Sequence, residues 1–386
     1  MKQCNKCNLP ETYETIEFNK TGSCNICENT TFKKKKINWE LRKKKLDQLI
    51  QKYRGKYSYD CIVPFSGGKD STYTLYYLMK EYNIKPLVVT FDHGFMRKNV
   101  LENSTRTFKK LGVDVIKFTP NWKIVKKLME ESFRRKSDFC WHCHTGIQSY
   151  PLRVAVQQKI PLVFWGEPQS EITDYFSYKD DEIEYQDETK FDLITNLGIT
   201  ANDMHNMIKD KTSSIELRDL YPYTFPAKEE LEAINYCSVP LGSFVPWDYQ
   251  KNTELIKKKL GWKVDQIEGI PENINPNGEK TECFMQASRD YIKYLKRGYS
   301  RATQITAFQV RNNKMSTEEA SKIIKQFDGL KPKSLDILLE YLQMDETEFN
   351  NIISKMVIPP NKPNFETNKI ASEAKDFDEW YRENKN

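Results

Sequence analysis

No apolar run in the 386-residue chain approaches the roughly 18 residues needed to cross a bilayer, so nothing reads as a membrane span. The start, Met1-Lys2-Gln3-Cys4, lacks the apolar core of a secretory signal, so the expected compartment is the cytoplasm. A large charge excess is also missing: 60 Lys+Arg stand against 54 Asp+Glu, a net +6. A broad nucleic-acid footprint usually needs a basic face, so this balance speaks against such a partner. The runs at 33–36 and 42–45 carry much of the excess, either as a phosphate patch or as a solvated linker and helix face. There is no internal repeat beyond the likeness between cysteine pairs.

What is present describes a folded protein with a wet surface. Hydrophobic residues make up 38%, charged residues 30% and aromatics 12%, a richer aromatic share than disordered chains carry. The length allows two or three domains. Nine cysteines in a chain without an export signal point to metal or reactive thiols rather than disulfides.

Four of those cysteines form two knuckles, Cys4-x-x-Cys7 and Cys24-x-x-Cys27, sixteen residues apart. Four thiolates in this spacing suit a closed tetrahedral Zn²⁺ site, structural rather than catalytic. An iron–sulfur cluster or free thiols are the alternatives. A segment this small cannot bury its own core, so the metal would supply folding energy. A third pair lies in Cys140-Trp141-His142-Cys143-His144. It reads as a second metal site completed by Cys237, Cys283 or a histidine, as a reactive thiol pair, or as a metal-free loop touching substrate. Cys61 reads as a small buried hydrophobe.

Residues 40–53 have the apolar spacing of an amphipathic helix. Strands are expected at 61–65, 87–91, 113–118 and 161–165. Helices are expected at 70–82, 99–111, 123–133 and 145–158. This alternation over 57–170 predicts an α/β fold, a doubly wound parallel sheet covered on both faces. Ligands of such sheets bind beyond the carboxyl ends of the strands, which selects Ser66 to Ser71, Asp92-His93-Gly94 and Gly166-Glu167. The acidic stretch 179–188 reads as a loop or insertion. Beyond 226 the chain reads as mainly helical, with helix starts at Ser316 and Asp345, and 359–386 as a surface tail. The domains expected are a four-cysteine zinc ribbon at 1–36, a linker helix at 37–56, an α/β domain at 57–225, a helical region at 226–358 and the tail.

Ser66-Gly67-Gly68-Lys69-Asp70-Ser71 falls between a predicted strand and a predicted helix. Two glycines permit a sharp bend and close approach of a ligand. The helix start offers unpaired N–H groups to an anion. Ser66 and Ser71 add hydroxyl donors and Lys69 a point charge. The GxxxxGK[ST] pattern of a Walker loop is absent. The string SGGKDS instead resembles the PP-loop of ATP pyrophosphatases, which adenylate a substrate oxygen and release pyrophosphate. The resemblance implies that Asp70 acts near Mg²⁺ and the pyrophosphate, with Lys69, Ser71 and Glu167 also catalytic. It implies that Thr90, Phe91, Asp92 and Gly166 line the nucleotide. His93 reads either as part of that wall or as a satisfied structural histidine.

CNKCNLPET, GSCNIC, DCIVPFSGGKDSTY, CWHCHTGI and FWGEP together resemble the N-acetyl sugar amidotransferases of bacterial surface-polysaccharide and nonulosonic acid pathways. Lys280-Thr281-Glu282-Cys283 and the segment 290–302 extend the likeness, which runs in order from about residue 4 to about 320. The implied reaction converts an acetamido group of a sugar into an acetamidino group, with ATP, Mg²⁺ and a structural Zn²⁺. Cys140, His142, Cys143, His144, Lys293, Arg297 and Arg301 become candidate substrate contacts; the last three would otherwise be a solvated helix face. Cys4 is not at a processed N-terminus and Gly22-Ser23-Cys24-Asn25-Ile26 is not a GxCxG elbow, so ammonia is expected from a separate glutaminase subunit. The competing resemblance is to PP-loop tRNA sulfur transferases, in which Cys140, Cys143 and Cys237 would hold an iron–sulfur cluster.

Overall fold

The computed structural model describes residues 1–166, 188, 191, 195–209, 215–367 and 369–372, with the backbone alone at 32–36. The described chain forms two compact units, one spanning 38–263 and the other combining 1–37 with 264–372.

The first unit is built on a parallel five-stranded sheet. Helix α2 (Trp39–Tyr53) leads in, capped by Asn38, which accepts from the Leu41 N–H at 3.0 Å. Strand β1 (Cys61–Pro64) is followed by α3 (Lys69–Tyr82), β2 (Pro86–Phe91), α4 (Lys98–Leu111) and β3 (Asp114–Phe118). Then come α5 (Trp122–Lys136), α6 (Trp141–Gln158) and β4 (Leu162–Trp165). Beyond residue 200, the described residues include α7 (Ala201–Ile208), α8 (Lys228–Ala233), β5 (Cys237–Pro240) and α9 (Tyr249–Leu260). These include all four expected strands. β5, with Ser and Pro among its four residues, was hidden in the sequence, and it keeps 226–263 with the sheet rather than with a helical region.

Residues alternate between the two faces of each strand. Cys61, Val63, Val88, Leu162 and Phe164 pack with Leu46, Ile50, Leu75 and Leu78 on one face. Ile62, Leu87, Val89, Val163 and Trp165 pack with Leu152 and Ala155 on the other. Both faces are therefore apolar, which is why the strands read as continuous hydrophobic runs. Each buried Leu or Val side chain contributes about 1.5–3 kcal/mol.

The strand order is β3-β2-β1-β4-β5. The chain winds outward from β1 through β2 and β3, then returns to β4 on the other side of β1. The topological switch point thus lies between β1 and β4, where open α/β sheets form a crevice for ligands.

The second unit opens with the cysteine knuckle. Bridges pair Gln3 with Pro10 and Phe18 with Cys24, and Cys24 heads α1 (Asn25–Lys36). Its helices are α10 (Gln286–Arg297), α11 (Arg301–Arg311), α12 (Thr317–Phe327), α13 (Ser334–Leu342) and α14 (Glu346–Ser354). Ser316 caps α12 by accepting from Glu319 N–H at 3.1 Å, and Asp345 caps α14 by accepting from Glu348 N–H at 2.8 Å. In the expected surface tail, residues 359–367, 369 and 370 are exposed or half-buried, and the described end of the segment is bonded to its unit. Ile358 N–H donates to Lys296 O at 2.8 Å, Ile370 bridges Lys331, and Ala371 is buried. Backbone bonding and a small apolar side chain hold this segment down as far as Ser372. The acidic stretch 179–187 lies outside the described residues. Among the described residues no helix is long and apolar enough to cross a membrane.

Candidate active site

β1 ends at Pro64, and Phe65 N–H still bonds Val89 O at 2.9 Å. The glycine loop therefore starts at the sheet's carboxyl edge. Gly67 has φ +83°, and a Cβ there would lie 2.5 Å from Val100 Cγ1 and 2.7 Å from Ser104 Oγ. Only glycine satisfies both the backbone angle and the space. Gly68 precedes α3 with no side-chain cap on the first-turn N–H groups. Those donors and the positive end of the helix form an anion seat. The loop's hydroxyls gather beside it: Ser66 Oγ and Ser71 Oγ are 3.3 Å apart, and Gly68 N–H donates to Ser66 Oγ at 3.3 Å.

Lys69 and Asp70 are paired, Nζ to Oδ2 at 2.6 Å, with the Lys69 side chain only 3% exposed and Asp70 19%. Gly166, at the end of β4, abuts Asp70: a Cβ on it would stand 3.2 Å from Asp70 Cβ. The structure thus joins the loop after β1 to the end of β4 at the switch point, as the sheet rule requires. Glu167 lies outside the described residues.

The end of β2 is arranged differently from expectation. Phe91 puts its ring into the core under α6, where a Cβ on Gly146 would be 2.2 Å from its Cζ. Only the Phe91 backbone is left to meet a nucleotide. Thr90 is buried beside it. Asp92 is paired with Lys117 at 2.9 Å and accepts from Gly94 N–H at 2.9 Å. Burial alone would raise its pKa, but the Lys117 ammonium and that N–H hold the carboxyl below its ordinary value. His93 is buried, accepts from Phe95 N–H at 3.3 Å, and burial pushes its pKa down to about 4.

Cys140 and His142 are buried at the start of α6, while Cys143 and His144 are half-buried. His142 Nε2 lies 3.4 Å from His93 O, and burial lowers its pKa to about 4 as well. The CxxC pair therefore sits near the carboxyl edge of the sheet. Cys237, by contrast, is the first residue of β5, opposite Leu162 at the amino edge. Strand polarity keeps Cys140, Cys143 and Cys237 apart, so they do not form the cluster considered above. Among the described residues the pair belongs to no group of three metal-ligating side chains; the knuckle is the group that qualifies.

In that knuckle Cys4, Cys7, Cys24 and Cys27 are buried and their sulfurs all lie within 4.8 Å of one another. Cys4 and Cys27 sulfurs are 3.9 Å apart, and those of Cys7 and Cys24 3.7 Å. A tetrahedron with Zn–S bonds of about 2.3 Å has edges of about 3.8 Å, so the set fits one such ion. The sulfurs share hydrogen bonds: those with Cys27 and Cys7 hold the Cys24 thiol below its ordinary range, and the one with Cys7 pushes Cys4 up to about 12. Arg311 Nη1 is 3.9 Å from Cys7 Sγ and offsets thiolate charge.

The basic residues of α10 and α11 are not a solvated face. Arg297 donates to Thr12 O at 2.6 Å and pairs with Glu14 at 3.1 Å, tying α10 to the knuckle. Arg301 makes a two-pronged, buried bond to Asp290, at 3.0 and 2.9 Å. Lys293 donates to Gln304 at 3.3 Å, and burial lowers its pKa to about 8.

Sequence reading missed the aromatic frame of the glycine loop. Trp262 Nε1 donates to Gly67 O at 3.1 Å, Trp247 Nε1 to Asp70 Oδ1 at 3.2 Å, and Lys69 Nζ stands 4.6 Å from the Tyr249 ring centre. These residues lie nearly two hundred positions away along the chain, and no local pattern links them to SGGKDS.

Comparison with known proteins adds three findings. Residues 279–378 match the family described as LPS biosynthesis protein WbpG-like, C-terminal domain, which supports the resemblance to the N-acetyl sugar amidotransferases. An uncharacterised protein of Methanocaldococcus jannaschii is 30% identical over 145 residues, 36% of this chain; the chain spans 50% of that relative's length. Among solved structures, the U34-tRNA thiolase NcsA of Methanococcus maripaludis, described with its 4Fe–4S cluster, matches at 11% identity. That match has a TM-score of 0.30 and covers 85% of this chain and 90% of the other, too loose a likeness to argue from.

Proposed function

We propose that this chain is an ATP-dependent amidotransferase that converts the acetamido group of a bacterial sugar into an acetamidino group. The observation that carries the reading is the anion seat at the β1–β4 switch point, with Lys69, Asp70, Ser66 and Ser71 around it. The match of residues 279–378 to a lipopolysaccharide-biosynthesis domain supports a sugar as the acceptor.

The chemistry explains why ATP is needed. An amide carbonyl is a poor electrophile and its oxygen a poor leaving group. In the proposed reaction the carbonyl oxygen attacks the α-phosphorus of ATP, the bond to the β-phosphate breaks, and pyrophosphate leaves. Ammonia then adds to the activated carbon and AMP departs with the former carbonyl oxygen. A proton is lost at each step, and the sugar gains an NH in place of an oxygen.

The loop's N–H groups and hydroxyls would bind the departing phosphates, and Lys69 would leave Asp70 to stabilise the charge that develops there. Mg²⁺, when bound near Asp70, would neutralise phosphate charge and hold the reacting groups in line. The knuckle would carry a structural Zn²⁺. Ammonia would come from a separate glutaminase subunit, and the reaction belongs in the cytoplasm, where ATP and glutamine are supplied.

The test is pyrophosphate release with ATP, Mg²⁺, ammonium and acetamido sugars. Lys69→Ala and Asp70→Ala are expected to lower the rate at least about a hundredfold while leaving circular dichroism unchanged. Full activity in either variant would contradict the assignment.

A further inference from the structure

We infer that Trp247 is a positioning residue for Asp70, its indole N–H fixing the carboxylate in the orientation that metal-bound ATP requires. The inference rests on the reading of Ser66 to Ser71 as the ATP loop.

Asp70 is held from three sides. Its Oδ2 accepts from Lys69 at 2.6 Å, and its Oδ1 accepts from Trp247 Nε1 at 3.2 Å. Gly166 closes the third side, itself fixed by Gly242 N–H, which donates to Gly166 O at 3.2 Å. Gly242 and Trp247 belong to the same short segment after β5. Phe244 and Val245 of that segment are buried in the core shared by β1 and α3, and Trp247 packs against it. The Trp247 ring also meets Tyr73 edge to face, at 5.2 Å and 87°. Two independent anchors therefore set the indole before it reaches the carboxylate.

The choice of donor is informative. Indole has a single N–H and no acceptor, so it orients a carboxylate without cancelling its charge. A second lysine or arginine there would compete with a metal for that charge. A carboxylate offers about four lone-pair sites, and the bonds from Lys69 and Trp247 engage one on each oxygen. The others stay available to a cation once Lys69 turns to the phosphates. If ring packing were all that mattered, phenylalanine would serve. Trp262 nearby shows the contrast: its N–H satisfies a backbone carbonyl, that of Gly67.

Titration calorimetry of the full chain with ATP, in Mg²⁺ and separately in EDTA, tests this. Trp247→Phe should weaken Mg²⁺-ATP binding roughly tenfold, the loss expected for a hydrogen bond to a charged group. It should leave metal-free ATP binding unchanged within about twofold. In an Asp70→Asn background the same substitution should have no further effect, because Trp247 acts through Asp70. The set is repeated with 3-benzothienylalanine at position 247, which keeps the ring outline and replaces the N–H by sulfur. Loss with both replacements supports the inference. Unchanged Mg²⁺-ATP affinity, equal losses in both Asp70 backgrounds, or a loss with Phe alone would overturn it. Failure of the unsubstituted protein to bind Mg²⁺-ATP would instead overturn the reading of the loop itself.

Discussion

Conformational and electrostatic demands separate side chains that look alike in the sequence. Gly67 and Gly55 both have positive φ, but a Cβ on Gly67 would strike Val100 and Ser104, whereas a Cβ on Gly55 meets nothing within 4 Å. Gly55→Ala should cost about 1 kcal/mol of backbone strain. Gly67→Ala should cost more and abolish ATP binding, because the loop must shift; urea denaturation and calorimetry measure the two effects. Asp290 and Arg301 pose a second case. Burial alone would raise the Asp290 pKa, but the charges of Arg301 and Lys293 outweigh it and hold the carboxyl below its ordinary value. Asp290→Asn strands a buried guanidinium and should cost about 3–5 kcal/mol, while replacing both partners by apolar residues should be close to neutral. His93 and His142 are buried and neutral, with pKa values lowered to about 4. An unfolded histidine binds its proton near pH 6.5. Stability should therefore be complete above about pH 6.5 and fall as pH drops toward 4, by up to about 1.4 kcal/mol per pH unit for each histidine. Substituting His93 by Gln should flatten that slope in denaturation curves taken at pH 7, 6 and 5.

At the scale of elements, the knuckle is a clamp on the helices of its own unit. Beyond the Arg297 bonds, Thr12 Oγ1 donates to Arg297 O, Asn8 Nδ2 donates to Thr317 O at 2.9 Å, and Thr317 Oγ1 donates to Lys6 O at 3.0 Å. Tyr299 donates to Glu14, and Tyr13 lies 5.2 Å from the Tyr299 ring. Cys24→Ser, or chelation of the metal proposed for the knuckle, should raise amide exchange across α10 to α12. Exchange in β1 and β2 should stay as it was. Faster exchange confined to residues 1–30 would contradict the clamp.

The same scale shows what the sequence made legible. Periodicity marks elements with one dominant apolar pattern, so the four strands and the helices α2 to α6 were readable. The anion seat was readable because strand, glycines and helix adjoin in sequence. The cysteine set was readable because metal spacing is local. β5 was hidden because Cys-Ser-Val-Pro is short and half polar. A strand's last aromatic residue gives no sign of which layer receives its ring, so the packing of Phe91 under α6 was not readable. Arg297 and Arg301 read in the sequence either as substrate contacts or as a solvated helix face, because their partners, Thr12, Glu14 and Asp290, are fixed only by packing. Trp247 could not be assigned to Asp70 for the same reason.

At the scale of the whole molecule, a net charge of +6 is small for 386 residues, and a sugar acceptor asks for no broad basic face. A division of labour follows from the proposed reaction. Ammonium should support turnover by this chain alone, and glutamine should do so only when a separate glutaminase is added; glutamine-dependent turnover by the isolated chain would contradict that. The proposed reaction stands on transfer of AMP to the acetamido oxygen, and a label on that oxygen follows the transfer. With an acetamido sugar carrying heavy oxygen, ATP, Mg²⁺ and ammonium, mass spectrometry should find the label in AMP and a sugar product lighter by the difference between oxygen and NH. Label retained on the sugar, or ATP consumed without AMP, would contradict it.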